Sequence, residues 1–460
     1  MPDHSNAGAS QLWSKGLPID QVLHRFTVGE DPVTDLALLP FDAEGSAAHA
    51  HMLADAGLLP EPDAKALVAQ LHHLRDRARK GELVILPEQE DCHTALEAYL
   101  TEALGDAGKS IHLGRSRNDQ VILATRLLMR DRMLHLGEST AAVASAFLDL
   151  ASKHENAELP GYTHLRRGMP SSWGQWGEAF AEGLLEELEA LPGLWQRIDK
   201  CPLGAAAGFG TSLPLKRERT AELLGFTRVQ RSPIDVNNSR GRHEQAIAAW
   251  IVSVAHTIEK AIWDLSLYST EEFGFVRLPD AFTTGSSIMP QKRNPDVLEL
   301  LRGRCRELRG LAGLIAQLAG GMPSSYHREW QLLKKPFLEL LDKGLEMLDI
   351  TARMLPGLQI QEDACREASS DDLYAAQEAY RLVKVEGIPF RDAYKRVAGQ
   401  IQDRTFKPDR SAPEHSHTGA PGNLGLAQTR QELSNASAWI RERSTSLDGT
   451  MNQLFSWASR

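Results

Sequence analysis

Apolar side chains recur every three or four residues along most of this chain, and few stretches alternate strictly between apolar and polar residues. The first spacing places apolar residues on one face of a helix, whereas strict alternation is typical of a half-exposed strand. We therefore predict a nearly all-α fold. The longest predicted helix covers residues 118–155, where no proline occurs and only Gly137 interrupts, so it extends for roughly 50 Å at 1.5 Å per residue. Further helices are predicted over residues 64–79, over 240–268, from Pro295 onwards and over 427–457.

A loop rich in small residues precedes the helix that begins near Pro295. It reads Gly285-Ser286-Ser287-Ile288-Met289-Pro290-Gln291-Lys292-Arg293-Asn294-Pro295-Asp296. The glycine and the two serines leave the backbone flexible, Pro290 prevents a helix, and Asn294 followed by proline is typical of a helix start. An apolar stripe is expected to follow at Leu298, Leu301, Cys305, Leu308, Ala312 and Ile315. The pattern predicts that a hydroxyl, Ser286, and a cation, Lys292, lie on a mobile loop before a rigid helix, although an ordinary surface loop fits these residues equally well.

A second candidate segment reads Gly114-Arg115-Ser116-Arg117-Asn118-Asp119-Gln120. The glycine permits an unusual backbone turn, and Ser116, Asn118 and Asp119 are residues that favour a helix N-cap. Two arginines at a helix start, where free N–H groups already favour anions, predict a carboxylate-binding site. The alternative is a simple helix start with solvated arginines.

Three further segments allow structural interpretations as well as functional ones. Asp91 and His93 lie where acidic residues are expected in the first turn of a helix, with a solvated histidine. Thr163 and His164 follow a Pro-Gly-Tyr turn. The glycine-rich residues 204–210 lack the third spaced glycine and the preceding strand of a dinucleotide loop, so we predict a tight turn between helices.

Charge and cysteine content exclude several classes of protein. The 51 basic and 61 acidic residues give a net charge of −10 without a basic block, which argues against nucleic-acid binding. The four cysteines form no Cys-x-x-Cys pair, so neither a disulfide framework nor a thiolate metal site is expected, and a reducing cytoplasm fits best. Residues 1–11 lack the apolar core of a signal peptide, and the longest apolar run, 246–255, is far shorter than the roughly 20 residues that span a bilayer. We therefore expect a soluble cytoplasmic protein without a membrane segment.

The Gly-Ser-Ser-x-Met-Pro-x-Lys-x-Asn-Pro pattern at residues 285–295 resembles the signature of the fumarase/aspartase superfamily, whose members cleave C–N or C–O bonds and release fumarate. Residues 291–296 are similar to the argininosuccinate lyase branch, and so is the Gly-Arg-Ser-Arg-Asn-Asp-Gln segment. The resemblance covers nearly the whole chain. It implies three domains (1–112, 113–364 and 365–460), a central five-helix bundle, and a homotetramer with a twenty-helix core and active sites shared between subunits. It also implies a small-molecule substrate and neither a metal nor an organic cofactor.

The same resemblance implies roles for individual side chains. The catalytic residues would be Ser286, His164, Lys292 and Glu299, with Glu299 pairing with His164. Either Ser286 or His164 would be the base and the other the acid. The implied substrate-binding residues are Ser46, Arg115, Ser116, Arg117, Asn118, Thr163, Asn294, Tyr326, Gln331 and Lys334, and the supporting residues are Asp91, His93 and Ser287. On physical grounds alone, residues 326–334 are equally well a helix start at which Lys334 extends its charged end to solvent.

Some positions depart from the pattern of this branch. They are Leu113, Arg166, Gly168, Met169, His327 and residues 238–241. The residues implied to bind the fumarate part of the substrate match the pattern of this branch, whereas the departures lie near the leaving amine. The implied reaction is cleavage of argininosuccinate to arginine and fumarate. Two alternatives remain open: a lyase for a different N-succinyl amine, and a non-catalytic structural tetramer like the related lens crystallins.

Overall fold

The structure, a computed structural model, describes residues 20–410 and 417–459. The first helices are α1 (Gln21–Val28), α2 (Asp31–Thr34), α3 (Leu39–Asp55), α4 (Glu61–Arg79), α5 (Cys92–Leu104) and α6 (Asp106–Lys109). The next are α7 (Arg117–Lys153), α8 (Trp173–Ile198), α9 (Arg217–Leu223), α10 (Pro233–Asn238), α11 (Arg242–Tyr268), α12 (Asp296–Leu318) and α13 (Lys334–Met354). The last are α14 (Glu362–Ala368), α15 (Ala375–Glu386), α16 (Phe390–Gln402) and α17 (Leu426–Ser456). The predicted all-α class and the long helices over 118–155, 240–268 and 427–457 are confirmed within one or two residues.

Six short strands pair as three antiparallel two-stranded ribbons. The strands are β1 (Glu158–Thr163), β2 (Arg166–Ser172), β3 (Val276–Arg277), β4 (Thr284–Gly285), β5 (Arg293–Asn294) and β6 (Gln359–Ile360). β1 pairs with β2, β3 with β6, and β4 with β5. The β1–β2 hairpin corrects the expectation of a simple turn after α7. Its strands contain proline and glycine and do not alternate, so the pairing of the two strands, rather than local sequence preference, decides this structure.

Five central helices form the body of the molecule. α7 packs against α8 and α13, α11 packs against α8 and α12, and α12 packs against α13. The predicted apolar stripe of α12 is buried at Leu298, Leu301, Cys305, Leu308 and Ile315. This bundle matches the central helical domain that the resemblance implied.

The C-terminal part of the chain packs in two ways. α15 and α16 form a small separate core, whose buried residues are Ala379, Leu382, Ala393 and Val397. α17 instead lies along α7 and α8 and contributes Leu433 and Ile440 to the main core. The division into three domains at 112 and 364 stays a prediction.

The structure tests only some of the features from which a soluble cytoplasmic protein was predicted. In the described ranges no helix is both long and apolar enough to cross a membrane. All four cysteines are buried and unpaired with one another. The absence of a signal peptide was inferred from residues 1–11, which lie outside the described residues.

A buried carboxylate on α3 makes stability depend on pH. Glu44 is 4 % exposed and accepts a hydrogen bond from Arg79 at 2.8 Å. Burial nevertheless outweighs the arginines and raises the pKa of Glu44 from 4.5 to about 7. Between pH 4.5 and about 7, Glu44 therefore keeps its proton in the folded protein but has lost it in the unfolded chain.

We expect this carboxylate to stabilise the folded protein fully below pH 4.5 and to lose that contribution as the pH rises through about 7. The loss amounts to about 3 kcal/mol. Glu44→Gln cannot ionise, so the unfolding midpoint of the wild type should fall relative to that of the variant over this pH range. If the unfolding midpoints of the wild type and of Glu44→Gln changed equally with pH, the raised pKa of Glu44 would be contradicted.

Candidate active site

The N-terminus of α7 is built by a reciprocal capping arrangement. The hydroxyl of Ser116 accepts the backbone N–H of Asn118 at 3.3 Å, and the backbone N–H of Ser116 donates to Asp119 at 2.9 Å. Local sequence is sufficient for this arrangement, because a serine followed three residues later by an acidic residue satisfies two free N–H groups. The predicted helix start is confirmed, with Ser116 as its N-cap.

Asp119 also holds a distant loop against the start of α7. Its second carboxylate oxygen accepts the backbone N–H groups of Gly204 at 3.0 Å and Ala206 at 2.7 Å. Burial raises the pKa of Asp119 to about 6, against the opposing effect of these hydrogen bonds. Asn118 donates to the carbonyl of Ala207 at 3.5 Å. Residues 204–210 do connect α8 to α9, as predicted, but this turn is also a wall of a cleft.

The cleft between this loop and the start of α7 has a volume of about 710 Å³, within the range of small-molecule sites. It is lined by Glu97, His112, Gly114, Arg115, Ser116, Arg117, Ala206, Ala207, Gly210 and Thr211. The two arginines and Ser116 were predicted from the sequence, whereas Glu97, His112 and the loop residues were not. We refer to this space as the α7 cleft.

The two arginines of the α7 cleft are anchored to different helices. Arg115 donates through Nη1 to the hydroxyl of Ser46 on α3 at 2.8 Å. Arg117 donates to the hydroxyl of Thr94 on α5 at 2.8 Å and lies 3.4 Å from a carboxylate oxygen of Asp91. The structure therefore brings Ser46 and Asp91 next to the arginines, as support for their positions.

Asp91 and His93 differ in part from their predicted setting. Asp91 is the N-cap of α5 and accepts the N–H of Thr94 at 2.8 Å, but the first turn of α5 contains no acidic residue. His93 is buried rather than solvated, and its Nδ1 lies 2.9 Å from Asp42. Although burial opposes the charged imidazolium, Asp42 and other carboxylates raise the pKa of His93. This pair supports the start of α5 from the side of α3.

One group of side chains in the described part of the chain has the composition of a metal site. The donor atoms of Asp42, Cys92 and His93 lie within 4.8 Å of one another. Burial and nearby carboxylates raise the pKa of the Cys92 thiol, which disfavours the thiolate that a metal requires. The short contact between His93 and Asp42 is that of an ion pair, so these residues fit a structural pair better than a metal centre.

Lys334 and Gln331 connect α13 to the N-terminal helices. Lys334 is buried and its Nζ lies 2.6 Å from Asp35 and 2.8 Å from Asp31. Despite burial, these carboxylates raise the pKa of Lys334. Gln331 donates to the carbonyl of Val28 at 2.6 Å. The alternative of a lysine extended to solvent is therefore wrong, while the substrate role of Tyr326, Gln331 and Lys334 stays a prediction.

The loop that carries Ser286 and Lys292 is held at both ends by β4 and β5. Thr284 pairs with Asn294, and Gly285 pairs with Arg293. The hydroxyl of Ser286 accepts the N–H of Met289 at 3.0 Å. Ser287 and Lys292 are exposed on this loop, and Glu299 is exposed one turn into α12. The predicted helix start is confirmed at Asp296.

Thr163 and His164 lie at the tip of the β1–β2 hairpin, exposed to solvent. His164 and Leu165 both have left-handed backbone conformations, with φ of 54° and 57°. This conformation is uncommon for residues other than glycine and costs energy at a hairpin tip. Among the described residues no hydrogen bond or ion pair joins His164 to Ser286 or Glu299. In the part of the chain that the structure describes, neither the Ser286 loop nor the hairpin tip lines the α7 cleft.

Comparison with known proteins identifies the family. Residues 20–310 match the family model described as lyase. The chain is 42 % identical to an argininosuccinate lyase of Sorangium cellulosum over 425 residues, which are 92 % of this chain and 98 % of the relative. It is 39 % identical to an argininosuccinate lyase of Stenotrophomonas maltophilia over 427 residues, 92 % of this chain and 98 % of the relative.

Solved structures agree on the fold. The crystal structure of EDDS lyase in complex with formate superposes with a TM-score of 0.80 at 22 % identity, over 95 % of either chain. A fumarate lyase:delta crystallin from Brucella melitensis in native form superposes with a TM-score of 0.70 at 18 % identity, over 91 % of this chain and 95 % of that one. The family model and the sequence relatives show that this chain belongs to the argininosuccinate lyase family of the fumarase/aspartase superfamily.

Proposed function

We propose that this protein cleaves the C–N bond of argininosuccinate by β-elimination and releases arginine and fumarate. The observation that carries the proposal is the α7 cleft, where two arginines stand at a capped helix N-terminus in a chain closely related to argininosuccinate lyases. A helix N-terminus with free N–H groups and adjacent arginines suits the carboxylates of a succinyl group. Ser116, Arg117 and Asn118 are proposed to hold one of these carboxylates.

The reaction requires removal of a weakly acidic proton from the carbon next to a carboxylate. The electrons left on this carbon form the C=C bond of fumarate as the bond to the guanidino nitrogen breaks. Before that, negative charge accumulates on the adjacent carboxylate and needs positive charge and N–H donors. Lys292, Asn294 and the N–H groups of the Ser286 loop are proposed to supply them.

Proton transfer is assigned to Ser286 and His164. Ser286 is proposed to remove the proton when the loop closes, because a nearby Lys292 lowers the pKa of a serine hydroxyl and the exclusion of water strengthens this attraction. His164, paired with Glu299, would then protonate the leaving nitrogen. The reverse assignment, with His164 as base and Ser286 as acid, satisfies the same proton balance.

A homotetramer would bring the three surfaces of the site together. Within the described chain neither the Ser286 loop nor the hairpin tip with His164 lines the α7 cleft, so we propose that each site takes these three parts from different subunits. Thr163 would accompany His164 in contacting substrate, and Tyr326, Gln331 and Lys334 would hold the amino-acid end. The four buried thiols fit a reducing compartment, and we propose the cytoplasm as the location.

The test is fumarate release, followed by ultraviolet absorbance, from purified protein supplied with argininosuccinate. We expect fumarate and arginine to form in equal amounts, which reflects cleavage of a single C–N bond. A folded tetramer that releases no fumarate would contradict the proposal.

A second substrate class follows from the departures near the leaving amine. Leu113 and Met169 are 39 % and 45 % exposed, in places where the branch has polar side chains. The fumarate assay with other N-succinyl amines distinguishes argininosuccinate from such an alternative substrate, since the preferred substrate has the higher kcat/KM.

A further inference from the structure

Glu97 is an acidic side chain in an otherwise cationic cleft. It lies on α5, one turn after the threonine that holds Arg117, and lines the α7 cleft together with His112, Arg115 and Arg117. Its side chain is 15 % exposed. Within the described chain its ion-pair partner is His112, whose Nδ1 lies 3.9 Å from the carboxylate, and neither arginine lies within ion-pairing distance.

His112 compensates this carboxylate only weakly, because burial and the two nearby arginines lower the pKa of its imidazole. Burial raises the pKa of Glu97, although Arg115 and Arg117 act against this shift. Half-buried carboxylates are normally hydrogen-bonded or paired, because removal from water disfavours the charged form. The elimination steps proposed above use no carboxylate at this position, so they do not explain it.

The neighbouring Arg115 has a matching free donor. Its Nη1 donates to Ser46, while Nη2 makes no hydrogen bond among the described residues. The cleft therefore offers a guanidinium donor and a carboxylate acceptor among its lining residues. A cation and an anion in one cleft suit a zwitterionic ligand. An α-amino acid group is such a ligand, because it carries both a carboxylate and an ammonium.

We propose that Glu97 binds the α-ammonium group of the substrate's amino-acid part while Arg115 binds its α-carboxylate. This inference rests on the proposed function and assigns a specificity-determining residue to it. It adds two charged ligands to those proposed above for this end of the substrate, where Lys334 and Gln331 also have protein partners in Asp31, Asp35 and Val28.

Product inhibition tests the proposal on the intact enzyme. Arginine carries the α-ammonium, whereas 5-guanidinopentanoate is the same molecule without its amino group. The wild type should bind arginine more tightly than 5-guanidinopentanoate, and Glu97→Gln should remove most of this difference. A charge-assisted hydrogen bond predicts that the variant binds arginine about 10- to 100-fold more weakly. Its affinity for 5-guanidinopentanoate should stay within about threefold, since a neutral amide leaves the remaining contacts in place.

Steady-state kinetics separates this role from a structural one. KM for argininosuccinate should rise with Glu97→Gln while kcat changes little, because the ammonium is remote from the bond that breaks. Glu102→Gln is the matched control, as Glu102 is exposed on the same helix and outside the cleft. Glu97→Asp keeps the charge and should retain part of the preference for arginine, which provides a second variant if the glutamine variant folds poorly.

Three results would overturn the proposal. They are an unchanged arginine affinity in Glu97→Gln, an equal loss of affinity for both guanidino compounds, and an aspartate variant without any preference for arginine. A wild-type enzyme that releases no fumarate from argininosuccinate would instead contradict the proposed function. The two failures are distinguishable, because arginine binding can be measured by calorimetry without turnover.

Discussion

Replacement of Ser286 by alanine is expected to lower kcat for fumarate release by about 10³-fold, the scale of a lost general acid or base. The hydroxyl has one local role, as acceptor of the N–H groups of Ile288 and Met289 on an exposed loop. Its loss should therefore leave the thermal midpoint of unfolding almost unchanged. The measurement is steady-state fumarate release combined with a melting curve for the same preparation.

The matched control is Ser446→Ala, an exposed serine on α17 far along the chain from the loop. Its kcat should equal that of the wild type. A Ser286→Ala enzyme with wild-type kcat would remove Ser286 from the catalytic mechanism. It would leave His164 as the residue to examine next.

Replacement of Lys334 by methionine is expected to destabilise the fold by about 3–5 kcal/mol. Methionine fills a similar volume but leaves the carboxylates of Asp31 and Asp35 without the cation that lies 2.8 and 2.6 Å away. Asp35 is fully buried and its other oxygen accepts the N–H of Cys92 at the start of α5. The effect should be read from the urea midpoint at a fixed protein concentration and at mildly alkaline pH, well above the pKa of about 6 to which burial raises Asp31.

Lys335→Met is the control for this loss of charge. Lys335 is the next residue on α13, but it is exposed and pairs with the exposed Glu30 at 2.8 Å. Surface pairs of this kind contribute about 0–1 kcal/mol, so its midpoint should stay close to that of the wild type. Adding Asp35→Asn to Lys334→Met should recover part of the lost stability. Equal midpoints for the Lys334 and Lys335 variants would show that the buried pair contributes nothing.

The Lys334 pair also bears on the α7 cleft. Asp35 connects Lys334 to the first N–H of α5, and the residues around that helix start, Asp91 and Thr94, hold Arg117. A continuous set of polar contacts thus runs from α13 to an arginine of the cleft. We expect Lys334→Met to weaken substrate binding for this reason, in addition to any direct contact that Lys334 makes.

Local sequence alone determined the long helices and their starts. The periodic apolar stripes, the absence of proline over 118–155 and the capping residue Ser116 depend on neighbours within a few positions, and the structure follows them closely. The predicted N-cap Asn294 is wrong, because Asn294 pairs with Thr284 in the β4–β5 ribbon and Pro295 takes the N-cap position without a side-chain hydrogen bond. The motifs at 114–120 and 285–295 likewise pointed to a carboxylate site and a mobile catalytic loop without any knowledge of the fold.

Tertiary structure decided what surrounds those motifs. Glu97, the loop that Asp119 draws towards α7, the pairing of His93 with Asp42 and the burial of Lys334 all join residues far apart in the chain. The β1–β2 hairpin, too, exists because two weak strands pair with each other. Helix propensity and capping act over one or two turns, whereas desolvation and ion pairing depend on which side chains the packed helices bring together. For that reason the sequence by itself determined the helices and the reactive motifs, and only the folded chain decided the charges and partners of the site.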